Sequence, residues 1–286
     1  MKKLLNVFLV VMFMLTPIVF LNGCSSEPAL TPKIDVVGIE SVYGINQLIQ
    51  YDKAIVRYYE DENSNNYTSV FLTESMVEGF DSSKEGSGTM IVSYNGLTKE
   101  IDYEIIDIEK TYKAAAESSV AQNKIEVIFH VKNDNEYSAM VAQHDVAYSC
   151  TRYGEVFERW QRTEDNKMVY YTLSNNQNTK TVTGREPMDY RKYVAGYFII
   201  NEFLNESTVT FESVTKNNEN CLIIKILANL GEGLFVEAYS TIKNNLIVEV
   251  ELAGAPLTVN YESLSILYND NASEIPAIPD VEWVEQ

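Results

Sequence analysis

Few side chains in this sequence have the types and spacing that catalysis needs. The 286-residue chain has two histidines, His130 and His144. His144 precedes Asp145, and a histidine oriented by a carboxylate is the arrangement that general-base catalysis uses. Neighbours along a strand point to opposite faces, so on a strand these two side chains could not hydrogen-bond to each other. No Gly-x-Ser-x-Gly nucleophile elbow occurs either. We therefore expect no catalytic residue and no enzymatic activity.

Metal chemistry has equally few candidate ligands. His130 falls on the same predicted strand face as Glu126 and Lys132, where we expect it to be solvated. The polar loops at 61–66 and 133–136 are rich in the oxygen ligands that suit Ca²⁺. Neither loop has the spacing of an EF-hand. We expect no metal site and no cofactor.

The cysteines leave two alternatives open. Cys24, Cys150 and Cys221 are the three in the chain. If the protein is exported, its compartment permits a disulfide between Cys150 and Cys221. The alternative is two separate buried thiols, each packing as a small apolar residue. Nothing in the sequence states the distance between them, which decides whether a disulfide can form.

Cys24 has the best-defined expected chemistry. Two lysines precede a nearly apolar run from Leu4 to Leu21, and Gly23 lies immediately before the cysteine. A basic start, an apolar run and a small residue at a cleavage point are the parts of a secretory signal. With the cysteine that follows, the segment resembles the signal of bacterial lipoproteins. The resemblance implies that residues 1–23 are removed and that Cys24 carries acyl chains such as palmitate. The alternatives are an uncleaved spanning helix, which the length of the run permits, and plain secretion.

The charge balance limits the partners. The chain has 41 acidic and 22 basic side chains and a formal net charge of −19. Nucleic acid needs a basic surface, so we expect no nucleic-acid partner. An anionic lipid surface should repel the chain too, and the expected attachment to the membrane is through the lipid on Cys24. Hydrophobic residues make up 45% of the sequence, enough for packed cores.

The first part of the expected mature chain reads as all-β. A short polar tether covers 24–33, and Asn95-Gly96 lies between two alternating runs, which predicts a tight hairpin. The stretch from Met76 to Gly96 has a Gly-Phe-Asp turn, a glycine before a strand and a Tyr-x-Gly hairpin. In these features it resembles the C-terminal half of the group 3 bacterial immunoglobulin-like domain. The resemblance implies an immunoglobulin-like β-sandwich over 34–108, a spacer or adhesion module without chemistry of its own.

Residues 109–268 read as a second domain of mixed type. Helical spacing and an alanine run predict a helix within 107–122, and a second helix is predicted at 187–204. Alternating segments predict strands at 124–132, 136–150, 152–163, 167–174, 208–215, 222–227, 234–240, 246–252 and 258–265. The acidic, proline-containing tail at 269–286 either lies across the fold or is loose.

This order of elements predicts an α+β domain with a curved antiparallel sheet and two helices, in a mainly β protein. It resembles the half-barrel superfamily of periplasmic lipoprotein carriers and mycobacterial lipoproteins, in which a curved sheet wraps over helices around an apolar cavity. The resemblance implies a cavity between the second helix and the sheet. Its expected lining is Trp160, Tyr190, Val194, Tyr197 and Phe198. An ordinary core contact between sheet and helix is the alternative for these side chains.

Taken together, the sequence predicts a lipid-anchored protein on the extracytoplasmic face of the cell membrane, without enzymatic activity. Its C-terminal domain is expected to bind a lipid, another apolar ligand or an envelope component. The alternative is a structural or adhesive surface protein with solidly packed domains and no small-molecule ligand.

Overall fold

A computed structural model of the chain describes residues 30–131, 137–153, 155–174, 177–199, 209–229, 235–253 and 261–285. The expected signal and Cys24 lie outside these ranges. The fold is mainly β, with two α-helices. No helix in the described part of the chain is long and apolar enough to cross a membrane. Contacts divide the chain into two compact units, the first with residues 30–39, 50–77 and 91–99, the second with residues 40–49, 78–90 and 100–285.

Seven strands come from the first third of the chain. They are β1 (Lys33–Val37), β2 (Val42–Gly44), β3 (Ile55–Tyr59), β4 (Thr68–Phe71), β5 (Val77–Glu78), β6 (Gly86–Tyr94) and β7 (Leu97–Ile106). One antiparallel sheet has the order β1-β3-β4. A four-stranded sheet has the order β2-β7-β6-β5. Asn95 (φ 50°) and Gly96 (φ 77°) form the turn between β6 and β7, which confirms the predicted hairpin.

The first helix, α1 (Ile108–Val120), lies within the predicted range. Asp107 caps its N-terminus by accepting a hydrogen bond from Lys110 N at 3.0 Å. Its buried face carries Ile108, Tyr112, Ala115, Ala116 and Ser119. This face therefore has the apolar spacing that the sequence indicated, with one polar residue, Ser119, near its C-terminal end.

The remaining strands build one large mixed sheet around a second helix. They are β8 (Ile125–Val131), β9 (Tyr137–Ala142), β10 (Val146–Tyr153), β11 (Glu155–Glu164), β12 (Lys167–Leu173), β13 (Asn178–Val182), β14 (Val209–Lys216), β15 (Leu222–Asn229), β16 (Phe235–Lys243), β17 (Leu246–Ala253), β18 (Tyr261–Tyr268) and β19 (Val284–Glu285). The sheet has twelve strands in the order β14-β15-β16-β17-β18-β8-β9-β10-β11-β12-β13-β19. The β13–β19 pair is parallel.

Two predicted elements differ from the structure, and two strands of the large sheet were not predicted. The predicted strand at 136–150 is a hairpin, because His144 and Asp145 form an exposed turn between β9 and β10. The predicted helix at 187–204 is shorter: α2 spans Tyr190–Ala195, and residues 200–208 lie outside the described ranges. The polar strand β13 and the terminal strand β19 were not predicted.

Both helices contribute to one core on one face of the large sheet. Tyr112 of α1 and Val194 of α2 belong to the same buried cluster as Val127, Ile224 and Ile266 of the sheet. Successive residues of a strand face opposite sides, so Met168 joins this cluster while Val169 packs on the other face with Trp160. We call the helix-covered face the inner face and the opposite one the outer face. The C-terminal tail packs on the outer face, so of the two predicted alternatives it lies across the fold and is not loose.

Candidate functional site

The helix α2 is held firmly by its first turn. The Asp189 carboxylate accepts hydrogen bonds from Arg191 N at 3.1 Å and from Arg191 Nη2 at 2.7 Å. Arg191 Nη1 also donates to the carbonyl of Gln122, just after α1, at 3.1 Å. Hydrogen bonding to Arg191 lowers the pKa of the Asp189 carboxyl. The cap and this guanidinium bridge together fix α2 against the end of α1.

Three of the four residues expected to line a pocket from the α2 side are buried in the core. Tyr190, Val194 and Phe198 are at most 1% exposed and belong to the main core. Tyr197 is 39% exposed, and its ring meets Phe129 edge-on at 5.6 Å. The buried hydroxyl of Tyr190 has no hydrogen-bond partner among the described residues. Tyr190, Val194 and Phe198 therefore occupy the positions of a core contact, the alternative that the sequence left open, whereas Tyr197 is partly exposed.

Trp160 lies on the outer face, away from the helix. It pairs across strands with Tyr148 and Tyr171, and these three rings share a cluster with the tail residues Ile275, Ile278 and Trp283. The structure therefore does not bring Trp160 together with the α2 residues. The error in the expected lining has a physical cause: Trp160 points to one face of β11 and Gln161 to the other, and strand alternation alone does not say which face the helix covers.

The second unit has a cleft where β17 and β18 separate. Among the described residues, the two strands pair through Glu249–Ser265, Val250–Leu264 and Glu251–Ser263. Beyond Glu249, β17 stays paired with β16 and β18 stays paired with β8. Thr241 pairs with Glu249 and Ile242 with Ile247, so Val248 is bulged out of the ladder at the point where the strands part.

Buried side chains satisfy the backbone at the gap. Ile247 N donates to Ser119 Oγ at 3.0 Å, and the Tyr268 hydroxyl donates to the Ile247 carbonyl at 2.6 Å. Without these partners, two fully buried backbone groups would lack hydrogen bonds. Burial raises the pKa of Tyr268 well above its ordinary value, so this hydroxyl keeps its proton. The gap is therefore stabilised by side chains from α1 and β18.

The last turn of α1 bridges the two sides of the gap. Ser118 Oγ is 2.6 Å from Asn245 Nδ2 on the β17 side. Gln122 Oε1 accepts a hydrogen bond from Asn269 Nδ2 at 2.7 Å on the β18 side. The helix end therefore spans the opening and links both of its walls.

The cleft has the size and the mixed lining of a small-molecule site. Its volume is about 840 Å³, within the roughly 300–1,000 Å³ usual for ligand pockets. Its lining mixes apolar side chains with polar and charged ones: Leu246, Val248, Ile266, Leu267, Tyr268, Gln122, Lys243, Asn244, Glu249, Ser265, Asn269, Asp270 and Asn271. A mixed lining suits a molecule that has one apolar and one polar part. We call these residues the β17–β18 cleft.

His130 lies beside this cleft and is exposed, which agrees with its predicted solvated position. Its Nε2 atom is 2.8 Å from Ser265 Oγ, and Ser265 lines the cleft. A serine beside a histidine is part of a nucleophilic site. Within the described ranges, however, no carboxylate hydrogen-bonds to the second ring nitrogen of His130. His144 is exposed in its turn, where its carbonyl accepts a hydrogen bond from Tyr190 N at 3.2 Å.

Both described cysteines, Cys150 and Cys221, are buried free thiols, which is the second of the two alternatives for them.

Of the two polar loops considered for Ca²⁺, the first uses a carboxylate oxygen within the loop itself: Asp61 Oδ1 accepts a hydrogen bond from Asn63 N at 3.1 Å. The loop at 133–136 lies outside the described residues. No group of three or more His, Cys, Asp or Glu side chains with metal-binding geometry occurs in the ranges that the structure describes.

Neither the protein-family models nor the curated proteins searched include a match to this chain. The immunoglobulin-like and half-barrel resemblances therefore stay predictions, and the geometry of the chain's own residues is the basis for its function.

Proposed function

We propose that this chain is a lipid-anchored surface protein outside the cytoplasmic membrane, and that it binds an amphipathic molecule without catalysing a reaction. The proposed site is the β17–β18 cleft. The observation that carries the proposal is the separation of β17 and β18 beyond Glu249–Ser265, with the backbone of Ile247 satisfied by side chains.

The way the gap is held open favours a binding role. Adjacent antiparallel strands ordinarily continue their ladder, because each unpaired backbone group that is buried costs free energy. Here Ser119 and Tyr268 replace the missing strand partners of Ile247, and both side chains are buried. The cleft can therefore stay open without a ligand, as a preformed pocket does.

The lining supports a ligand with an acyl or similar apolar part. Val248 and Leu267 offer apolar surface to that part. Lys243 offers a cation to an anionic head group, in a lining that also contains the carboxylates of Glu249 and Asp270. Lys243 is 48% exposed and pairs with Glu219 at 3.2 Å, so it is solvated and can exchange partners. A long-chain fatty acid is the simplest molecule with both features.

The binding test uses the full chain with Cys24→Ser, which removes the expected lipid. Palmitate binding is measured by displacement of the fluorescent probe 1-anilinonaphthalene-8-sulfonate. Val248→Asp places a carboxylate on the apolar wall and should weaken palmitate at least about tenfold, equivalent to about 1.4 kcal/mol. Ile223→Asp on the outer face of β15 is the matched control and should bind as the parent does. Equal affinities in both variants would contradict the assignment of the site.

The anchor has its own test, which is independent of the cleft. An alkyne analogue of palmitate fed to bacteria expressing the full chain should label the protein through Cys24. The Cys24→Ser chain should not be labelled. Labelling that survives this substitution would argue against the lipoprotein attachment.

A structural or adhesive role is the second candidate, and one observation favours it. The space between α2 and the sheet is packed with core side chains, as expected for a domain without an internal ligand. Co-sedimentation of the Cys24→Ser chain with purified peptidoglycan, together with no palmitate binding, would favour this role over the first.

A further inference from the structure

The C-terminal tail is bound to the outer face of the large sheet like a peptide in a site. It begins after a short turn at Asn269–Asn271. Ser273 donates to the buried Glu126 carboxylate from both N and Oγ, at 2.7 and 2.9 Å. The next residue, Glu274, forms an ion pair with Lys124, whose side chain is 10% exposed. The first residues of the tail therefore provide partners for two buried charged groups, Glu126 on β8 and Lys124 just before β8.

The middle of the tail covers an aromatic floor. Trp160 Nε1 donates to the carbonyl of Pro276 at 2.8 Å. Ile275 and Ile278 pack against the cluster of Trp160, Val169 and Tyr171. A buried indole usually finds an acceptor for its N–H, and here the tail backbone supplies it.

The end of the tail adds a strand to the sheet. The Trp283 ring meets Tyr171 edge-on, with centroids 5.1 Å apart and an interplanar angle of 78°. Val284 then pairs with Thr179 and Glu285 with Lys180, in a parallel arrangement. Without this pairing β13 would be an edge strand of the sheet. Adding an extended segment to a sheet edge while side chains fill pockets is a recurring way to bind peptides.

Charged side chains flank the aromatic floor. Arg162 and Lys180 lie 5.3 and 5.5 Å from the Tyr171 ring, and both pair with Glu164. Glu158 lies on the same face, where its carboxylate accepts a hydrogen bond from the Tyr148 hydroxyl at 3.0 Å. The floor therefore carries charges of both signs, and the contacts that hold the tail are the indole hydrogen bond, the apolar packing and the strand pairing.

We propose that this face is a peptide-binding site and that a second copy of the chain can supply its occupant, residues 273–285. We call the site the tail groove and define it by Tyr148, Trp160, Val169, Tyr171 and the edge of β13. The chain's own tail fills it in the structure. A second copy's tail carries the same anchors, so exchange of tails between two copies makes the same contacts.

The chain's own tail competes with the tail of a second copy, because it is covalently attached close to the groove. A short flexible link gives a tethered segment an effective concentration of the order of millimolar. At micromolar concentration the intact chain should therefore be a monomer with its own tail bound. Exchange should dominate only when one copy's groove is vacant and another copy's tail is released.

Two complementary full-length variants test this directly, both with Cys24→Ser. The acceptor carries Ile278→Ala and Trp283→Ala, which weaken its own tail and leave its groove intact. The donor carries Tyr171→Ala, which damages its groove and leaves its tail intact. Size-exclusion chromatography with light scattering should show a 1:1 heterodimer in the mixture and a monomer for each variant alone. The matched control is a donor that also carries Trp283→Ala, and it should not form the heterodimer.

Peptide binding and circular dichroism together distinguish a loss of binding from a loss of folding in these variants. A fluorescein-labelled peptide of residues 272–286 should bind the acceptor, and its Trp283→Ala version should bind at least about tenfold more weakly, as for an anchor residue. Circular dichroism shows whether each variant is folded. Failure of a folded acceptor to bind the peptide, or its failure to pair with a folded donor, would overturn the proposal. An unfolded acceptor would overturn it too, since the tail would then be part of the core.

Discussion

Two buried tyrosine hydroxyls give a matched test of how the β17–β18 gap is stabilised. Tyr268 donates to the Ile247 carbonyl at 2.6 Å, and Ile247 is fully buried. Tyr268→Phe leaves that carbonyl without its donor, which should cost about 1–3 kcal/mol in the free energy of unfolding. The Tyr190 hydroxyl is buried as well, and its contact with the Thr163 side chain falls outside hydrogen-bonding geometry. Tyr190→Phe removes an unsatisfied group, so it should be neutral or stabilising.

Urea unfolding followed by tryptophan fluorescence measures both costs. The chain has two tryptophans, Trp160 and Trp283, and both belong to the second unit. The signal therefore reports the unit that contains the gap. A stability difference between the variants of at least about 1 kcal/mol, with an unchanged urea slope, is the expected result. If both substitutions cost the same, or if Tyr268→Phe costs less than Tyr190→Phe, our account of the gap is wrong.

Three further outcomes follow from the second unit. Asp189→Ala should lower the free energy of unfolding by about 1 kcal/mol, because it removes the cap of α2. Hydrogen bonding to Arg191 lowers the pKa of Asp189 in the folded state, so this stabilisation is lost as the carboxyl is protonated. Calorimetry should therefore show a smaller difference between the variant and the parent below pH 3.8. Burial raises the pKa of Tyr268 in the folded chain, so above pH 10.0 the unfolded chain binds fewer protons than the folded chain and stability should fall. In an alkaline titration, Tyr268→Phe should show a smaller fall in stability than the parent. In the Cys24→Ser chain, Cys150 and Cys221 should react with a thiol reagent only after denaturation, and finding no reactive thiol then would contradict the free state.

Local sequence signals predicted the elements whose cause is local. The hairpin at Asn95-Gly96 follows from two residues that tolerate positive φ. The helix α1 follows from an alanine run and apolar spacing, and most strands of the large sheet follow from alternation. The turn at His144-Asp145 was missed because it contains no glycine, proline or asparagine to interrupt the apparent strand. The strand β13 was missed because its Asn-Thr-Lys-Thr-Val sequence has no apolar alternation.

The candidate site depended on relations between distant strands, which local signals do not contain. The cleft exists because β17 and β18 stop pairing at Glu249–Ser265. Alternation breaks on that side, in the apolar runs Leu246-Ile247-Val248 and Ile266-Leu267-Tyr268, but an apolar run does not say which strand pairing ends. The buried polar residue in α1, Ser119, is a second sequence feature of the gap, since a serine on an apolar helix face needs a partner. The position of Trp160 likewise depended on which face of the sheet the helices cover.

Photolabelling with a fatty acid tests the cleft most directly. The full chain with Cys24→Ser is irradiated with a diazirine analogue of palmitate, digested, and mapped by mass spectrometry. We expect labels on the segments at 243–249 and 265–271, which line the cleft, and competition by unlabelled palmitate. Labels concentrated on α2 and residues 196–199, with the cleft segments unlabelled, would contradict the proposed site and favour a cavity between the helix and the sheet.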